Sequence, residues 1–600
     1  MTIQNVKSFA GGQWISADDA ARDIRSAVTG EVIARAGNAA LDTEEMLNFA
    51  RTKGGPALRA MTFHQRAKML KALAVHLGER KQQLYDISFA TGATQKDHLI
   101  DIDGGIGTMF VFASKGRREM PDGQVYLDGD VEQLSRHGTF LGQHICTPLQ
   151  GVAVHINAFN FPVWGMLEKL APTLLAGVPA IVKPATATCY VTELAVQFMI
   201  ESGLLPDGAL QLVSGGLGDM LDQLSSQDVV SFTGSADTAF KLRAAPHILE
   251  NSIRFIAEQD SLNASVLGPD ATPGTPEFDL FVKEVSREMT TKAGQKCTAI
   301  RRIMAPTPLV QPVIDALQIA LNKVTIGDPA AEGTSMGALV SSAQRADVLE
   351  KAALIGQDAE RVIGDPENFD VRGADAKLGA FLPPIVFHCA NPDSAQGVHN
   401  VEAFGPVSTI MPYTDVDNAI ALLNKGQGSL VASVITNDSD VARQMVMGAG
   451  AFHGRLYFNN RTSMKESTGH GSPLPHMVHG GPGRAGGGEE MGGVRGVMHY
   501  MQRTAIQGSP DILTAIGAKW VPGATEIVED EHPFTRTFHQ LGIGETFNSP
   551  FRQVSLDDIE HFAHFTGDTF YAHMDEAAAK RNPFFPGRVA HGYLLLSFAA

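Results

Sequence analysis

Apolar residues between positions 60 and 90 recur at steps of three and four. Phe63, Ala67, Leu70, Ala74 and Leu77 fall on one face of a 3.6-residue period, which predicts a helix over this stretch. From residue 150 the pattern changes to short apolar runs ended by turn formers. Gly151-Val152-Ala153-Val154-His155-Ile156 leads into Asn157-Ala158-Phe159-Asn160-Phe161-Pro162, and Ala180-Ile181-Val182-Lys183 stops at Pro184. Leu210-Gln211-Leu212-Val213 closes on Ser214-Gly215-Gly216, and Val229-Val230-Ser231-Phe232-Thr233 runs into Gly234-Ser235. Each run reads as a buried strand. Residues 191–204 read as a helix that stops before Pro206. Strands alternating with helices predict an α/β chain with a parallel sheet.

Farther along, Gly480-Gly481-Pro482-Gly483-Arg484-Ala485-Gly486-Gly487-Gly488 is too rich in glycine to hold a helix or strand. Such a segment is either a flexible linker or a loop packed where backbone must approach backbone closely. Gly508-Ser509-Pro510 and Trp520-Val521-Pro522-Gly523 then break the pattern. Glu526, Glu529, Asp530 and Glu531 before Pro533 read as a solvated linker, with a new unit starting near 532.

Six hundred residues exceed what one core serves and predict roughly three to five domains or subdomains. A hydrophobic share of 44% and a charged share of 19% describe an ordered globular protein. The net charge of −17 argues against general nucleic-acid binding. The four cysteines, Cys146, Cys189, Cys297 and Cys389, form no disulfide framework and no metal-ligand spacing. They point to a reducing compartment. The N-terminus lacks the apolar core of a signal peptide, and no apolar run approaches the ~20 residues a membrane span needs. A cytoplasmic location is therefore expected, with no metal and no membrane or nucleic-acid partner.

Cys297 lies in Gly294-Gln295-Lys296-Cys297-Thr298, with Glu258 upstream in Phe255-Ile256-Ala257-Glu258. A thiol beside a carboxylate that takes up a proton, directly or through water, is a nucleophile with its base. A buried structural cysteine is the alternative. Asn160, just after one strand, offers an amide to a developing oxyanion. Lys183, ending another, reaches a ribose or phosphate. The Gly234-Ser235 turn reads first as an ordinary strand-to-helix turn, with a phosphate contact as the functional alternative.

Six pieces in order carry a resemblance: Asn160-Phe161-Pro162, Val182-Lys183-Pro184-Ala185, Phe232-Thr233-Gly234-Ser235, Glu258, Gly294-Gln295-Lys296-Cys297, and Glu402-Ala403-Phe404-Gly405-Pro406. From about residue 5 to 507 the chain resembles an aldehyde dehydrogenase. The resemblance implies a Rossmann-like cofactor domain (about 1–130 and 151–265), an α/β catalytic domain (about 266–480) and oligomerisation strands (about 131–150 and 496–508), all within residues 1–520. It implies Cys297 as nucleophile, with Asn160 and the Cys297 N–H on the oxyanion. Glu258 would activate the hydrolytic water. Glu402 and Phe404 would hold the nicotinamide end of the cofactor, and Lys183 and Ser235 the adenosine ribose and pyrophosphate.

Three departures qualify it. Thr186 stands where NAD-preferring members carry a glutamate, which favours NADP over NAD, with Lys183 as a phosphate partner. The usual glycine shortly after Ser235 is missing, so the helix there must pack differently. Glu258 and Cys297 are about five residues farther apart than usual, placing a loop insertion around Pro269–Pro276.

Near the C-terminus, Asp568 and His573 are spaced to grip one water as acid and base. A helix-capping aspartate followed by a surface histidine is the alternative. Phe584-Phe585-Pro586-Gly587-Arg588-Val589-Ala590-His591-Gly592-Tyr593 then enters an apolar helix, Tyr593 to Ala600, whose start would polarise a thioester carbonyl. Together these resemble the MaoC-type (R)-specific enoyl-CoA hydratases of α+β hot-dog fold. Phe570-Tyr571 replaces the usual Asn-Pro and implies a modified substrate pocket. Residues 521–531 would be the linker and 532–600 the N-terminal part of an incomplete hot-dog domain, as in a truncated product.

The pairing of the two units resembles the PaaZ-type bifunctional ring-opening enzymes of bacterial phenylacetate degradation. It implies that the C-terminal unit hydrates oxepin-CoA and opens its ring. The N-terminal unit would then oxidise the 3-oxo-5,6-dehydrosuberyl-CoA semialdehyde with NADP. It also implies a homo-oligomer built from domain-swapped dimers, with Val497–Gln507 pairing with the segment near Glu132–Thr147. Three other readings stay open: a plain aldehyde dehydrogenase with an inactive tail, a scaffold that lost activity, and a CoA-semialdehyde dehydrogenase of another aromatic pathway.

Overall fold

The computed structural model of the chain describes residues 3–17, 21–37, 41–529, 535–548 and 551–599. It divides into two units, Met1–Asp128 with Ile145–Thr504, and Gly129–His144 with Ala505–Ala600. Asp530, Glu531 and Pro533 of the expected linker, and the expected start of the second unit near 532, lie outside the described residues.

In the first unit the periodic stretch becomes two helices rather than one. Phe63–Gly78 starts at a capping box of Thr62 and Gln65 and buries Phe63, Ala67, Leu70, Ala74 and Leu77. The chain breaks at Arg80, whose φ of −113° and ψ of 0° are not helical, and resumes as Lys81–Ser88.

The four expected strands form at β1 (Ala153–Ile156), β2 (Ala180–Lys183), β3 (Leu210–Leu212) and β4 (Val229–Thr233), joined by β5 (Arg254–Glu258). Their order in the sheet is β5-β4-β1-β2-β3, all parallel. Strands Lys7–Ala10 and Gln13–Ser16 extend the β3 edge antiparallel. β1, β2 and β3 are buried along nearly their whole length, as continuous apolar runs in a sheet covered on both faces should be. The helices α1 (Trp164–Ala176) and Cys189–Glu201 connect β1 to β2 and β2 to β3. α2 (Ala236–Arg243) follows β4; it is short and buries only Ala239, so the missing glycine there matches a lightly packed helix.

A second seven-stranded sheet runs, in order, Glu360–Ile363, Ile385–His388, Val407–Tyr413, Arg302–Pro306, Ala264–Leu267, Ser429–Ile435 and His453–Asn459. It is parallel except at its Glu360–Ile363 edge. In the expected oligomerisation region, Leu141–Pro148 lies beside Met501–Gly508 in a sheet that also holds Tyr126–Leu127 and Glu132–Gln133. In the second unit, Ile527–Glu529 pairs parallel with Glu545–Phe547, and four helices follow at Leu556–Thr566, Tyr571–Met574, Glu576–Arg581 and Gly592–Leu596.

Among the described residues no helix is long and apolar enough to cross a membrane. All four cysteines are free.

Candidate active site

In the first sheet, β1 has β2 on one side and β4 on the other, so the winding reverses there. Sheets of this kind take ligands in the crevice at the carboxyl ends of the strands beside such a reversal. Asn160 follows β1, Lys183 ends β2, Ser235 follows β4 and Glu258 ends β5. Four of the expected site residues therefore share one edge.

Cys297 reaches this edge on a bent segment. After helix Pro276–Thr290, Lys292 and Ala293 take φ near +50° and Gly294 takes +69°. Left-handed backbone at a non-glycine residue costs about 1–2 kcal/mol. Here it is offset by bonds from the Lys292 N–H to Asp97 Oδ1 (2.7 Å) and from Lys292 Nζ to Thr91 Oγ1 (2.7 Å). Gly294 is required for space: a Cβ there would stand 2.3 Å from the Gly405 carbonyl oxygen. Arg301 ties the segment down, donating to the carbonyls of Gly294 (2.9 Å), Lys296 (3.2 Å) and Gly405 (2.6 Å).

Cys297 lines one cavity together with Asn160, Trp164, Lys169, Thr233 and Glu258. The structure thus brings Asn160, Glu258 and Cys297 together. Burial, then the charge of Glu258, pushes the thiol well above its usual value. Burial would also raise Glu258. The imidazole of His479, the ammonium of Lys169 and the thiol outweigh that and hold the carboxyl well below the usual carboxylate range.

Several residues of the site were not singled out in the sequence. His479 Nε2 is 3.1 Å from Glu258 Oε2 and 3.8 Å from Cys297 Sγ. Lys169 is buried on α1 between Glu168 (3.2 Å) and Glu490 (3.1 Å), and donates to Thr233 Oγ1 at 2.7 Å. Its signal was a Glu-Lys pair inside the otherwise apolar run Met166–Ala176. The glycine-rich segment closes on the same strand. The Gly488 N–H donates to Ala257 O (3.2 Å), and the Gln259 N–H to Ala485 O (3.1 Å). Of the two readings of this segment, the packed loop is the one observed. Its flanks, Val478–Gly480 and Glu489–Met491, pair as short antiparallel strands, so Gly480 lies in a strand where loop was expected.

The expected cofactor residues lie outside that cavity lining. Glu402 is buried 3.8 Å from Arg301 Nε, and its Oε1 has no hydrogen-bond partner. Burial outweighs Arg301 and raises this carboxyl to about 7. An orphaned buried carboxyl oxygen suits a ligand hydroxyl. Phe404 lies under the Arg301 guanidinium, 5.4 Å from ring centre, and edge-on to Phe159, which precedes Asn160. Lys183 is mostly buried, and burial lowers its ammonium. Thr186 opens the turn Thr186–Thr188. Ser235 stands at the N-cap position of α2 without a side-chain capping bond and donates to Thr238 Oγ1 (3.0 Å), while the Ala236 N–H is taken by Asp260 Oδ1 (3.0 Å). A carboxylate therefore occupies the amide to which a pyrophosphate oxygen would turn.

In the second unit the Asp568 carboxylate, His573 and His591 bring ligand atoms within 4.8 Å of one another. The rings of His573 and His591 stack with centroids 3.7 Å apart. His573 Nδ1 binds the Val589 carbonyl (2.8 Å), and His591 Nε2 binds the Asp568 carbonyl (3.0 Å). The Asp568 carboxylate accepts from the Phe570 N–H at 3.4 Å. The terminal helix is Gly592–Leu596, with Leu594 buried and Tyr593, Leu595 and Leu596 exposed.

Residues 14–506 match the aldehyde dehydrogenase family, and residues 539–600 match the MaoC like domain. A 3,4-dehydroadipyl-CoA semialdehyde dehydrogenase of Aromatoleum evansii is 44% identical over 79% of this chain and 92% of its own length. A protein named MaoC from Klebsiella aerogenes is 49% identical over 44% of this chain and 77% of its own. Among solved structures, a betaine aldehyde dehydrogenase from Staphylococcus aureus superposes with a TM-score of 0.73 at 22% identity, covering 84% of this chain and 96% of the other. A 3,6-anhydro-L-galactose dehydrogenase does so with a TM-score of 0.72 at 22% identity, over 84% of this chain and 100% of its own. At that identity these two speak for the fold alone. The family match and the semialdehyde dehydrogenase relative go further: the chain belongs to the aldehyde dehydrogenase family and carries a MaoC-like domain behind it.

Proposed function

We propose that this chain oxidises a CoA-linked semialdehyde to its acid at Cys297, and that its MaoC-like unit produces that aldehyde by hydrating oxepin-CoA. The observation that carries the reading is Cys297, Glu258 and Asn160 on one cavity. Cys297 gives its thiol proton to Glu258, which passes it to solvent and is ionised again for the later step, and the Sγ attacks the aldehyde carbon. The oxygen of the thiohemiacetal takes hydrogen bonds from the Asn160 amide and the Cys297 N–H. A nicotinamide held at Glu402 and Phe404 would supply the hydride acceptor for the oxidation that leaves a thioester on Cys297. Glu258 takes a proton from water, and the hydroxide cleaves the thioester. Glu402 and Phe404 hold the nicotinamide end; Lys183, Thr186 and Ser235 serve the adenosine end. With no carboxylate at Thr186 to repel a 2′-phosphate, NADP is favoured. Solved neighbours of this fold include structures holding NAD and NAP, so the fold itself does not choose.

In the second unit Asp568 acts as base and His573 as partner acid on one water, with the His591 ring stacked on His573. A reactive aldehyde made and oxidised by one chain is lost less to side reactions. The working form is a homo-oligomer of domain-swapped dimers in the cytoplasm. A second reading is favoured by the 44% identical relative: the aldehyde is 3,4-dehydroadipyl-CoA semialdehyde.

The test is to supply oxepin-CoA with NADP and follow reduced cofactor and open-chain aldehyde. The wild type should reduce cofactor. Asp568→Asn should do so only when the aldehyde itself is added, and Cys297→Ala should accumulate the aldehyde. Turnover of 3,4-dehydroadipyl-CoA semialdehyde with a far higher kcat/KM, and none of oxepin-CoA, would favour the second reading.

A further inference from the structure

His479 touches both groups between which the proposed chemistry moves a proton. Its Nε2 lies 3.1 Å from Glu258 Oε2 and 3.8 Å from Cys297 Sγ. The ring is buried, sits in the middle of strand Val478–Gly480 opposite Glu490, and stands edge-on to Trp164 with centroids 5.8 Å apart. The backbone of Trp164 is fixed, its amide N–H donating to Asp101 Oδ1 at 2.7 Å. Hydrogen-bond geometry is met at the sulfur, whereas the Glu258 contact is an approach of 3.1 Å in which the carboxylate oxygen has no hydrogen-bond partner.

We propose that His479 is a shared donor whose Nε2–H follows one negative charge from the Glu258 carboxylate to the Cys297 sulfur as the nucleophile forms. The proposal rests on the reading of Cys297 as nucleophile and Glu258 as its base. Before activation the S–H bond is intact, Glu258 is ionised, and the imidazole stands 3.1 Å from its Oε2. On activation the S–H bond breaks, and the proton forms an O–H bond on Glu258. The products are a neutral acid and a thiolate, with no net change in charge. The imidazole keeps its own hydrogen and tightens its contact with the sulfur as the charge arrives there.

The surrounding charges explain why such a donor is needed. Burial and the Glu258 charge both disfavour the thiolate. Proton transfer to Glu258 removes the second of these, and a donated hydrogen bond offsets the first. The charged groups facing the trio are Glu168 and Lys169 from α1, Glu490 from the paired strand, and Lys296 beside the cysteine. Lys169 is committed to Glu168 and Glu490, and Lys296 to Glu288 at 2.6 Å. His479 is the side-chain donor placed against the sulfur.

The experiment is alkylation of Cys297 by iodoacetamide in the full-length, ligand-free enzyme, read by mass of the Cys297 peptide from about pH 6 to 10. His479→Phe keeps a ring against Trp164 but has no N–H; His479→Gln keeps a neutral donor. Alkylation of His479→Phe at pH 7 should slow by about tenfold or more, with the inflection raised by about one unit. His479→Gln should recover part of the rate, and kcat should fall in parallel while KM changes little. Alkylation of His479→Phe at the wild-type rate with the wild-type pH profile would overturn the proposal. Thermal melts accompany each variant, and if the Phe variant does not fold, His479→Gln against His479→Leu gives the same comparison. Retained turnover in Cys297→Ala would instead sink the nucleophile reading, while the alkylation series would still report on His479.

Discussion

The side chain of Asn263 holds the backbone of Cys297: its Nδ2 donates to the Cys297 carbonyl at 2.7 Å and to the Ala299 carbonyl at 3.0 Å. Its Oδ1 accepts from Ser261 Oγ (2.7 Å) and the Val431 N–H (3.1 Å). Asn263 is fully buried, so each bond lost leaves a polar group dry. Asn263→Ala should lower stability by about 2–3 kcal/mol. It should also lower kcat more than it raises KM, because the thiol loses its fixed direction. Denaturant unfolding beside steady-state kinetics checks both.

Gly486 has φ +105°, and a Cβ there would stand 2.3 Å from the Ala257 carbonyl, next to Glu258. Gly487 has φ +74° but open space around the same position. Gly486→Ala should therefore cost about 1–3 kcal/mol and also reduce aldehyde oxidation. Gly487→Ala should carry the backbone penalty with turnover close to wild type. Equal loss of turnover in both would mean that the clash at Ala257 does not reach the site.

A pH dependence follows from Glu402. Burial raises its carboxyl to about 7, against the pull of Arg301 and Arg484 and with Asp260 adding to the rise. Between the ordinary glutamate value and about 7, the folded chain binds a proton that the unfolded chain has lost. Stability from this group is thus present below the unfolded value and lost as pH rises through 7. The melting temperature of the ligand-free enzyme should fall between about pH 5 and 8, and Glu402→Gln should flatten that fall. An unchanged slope in the variant would place the titration elsewhere.

Cofactor choice turns on Thr186, at the turn after Lys183. The wild type should show a higher kcat/KM with NADP than with NAD. Thr186→Glu should reverse the order by placing a negative charge against the 2′-phosphate. A wild-type preference for NAD would contradict the argument.

What could be read in the sequence divides along a physical line. The strand runs ending at Ile156, Lys183 and Thr233 were legible because buried parallel strands are continuous apolar runs stopped by Pro or Gly. Asn160 was legible as an amide just after a strand, and Glu258 and Cys297 through the ordered set of motifs they belong to, while the strand Arg254–Glu258 that carries Glu258 was not read. His479 was not. A histidine beside a glycine-rich run gives no periodic signal, and it turns inward only because Val478–Gly480 pairs with Glu489–Met491. Arg301 and Glu402 meet across about a hundred residues of chain, a contact that depends on the second sheet. The helix over 60–90 was drawn too long because periodicity does not register the single residue, Arg80, at which the backbone leaves the helix.

The central claim, that Cys297 is the nucleophile of a semialdehyde dehydrogenase, is tested most directly by Cys297→Ala in the full-length chain. The variant should keep the wild-type melting temperature and cofactor binding, while aldehyde-dependent reduction of the nicotinamide falls to background. Turnover retained in that variant at a measurable fraction of the wild-type rate would contradict the account.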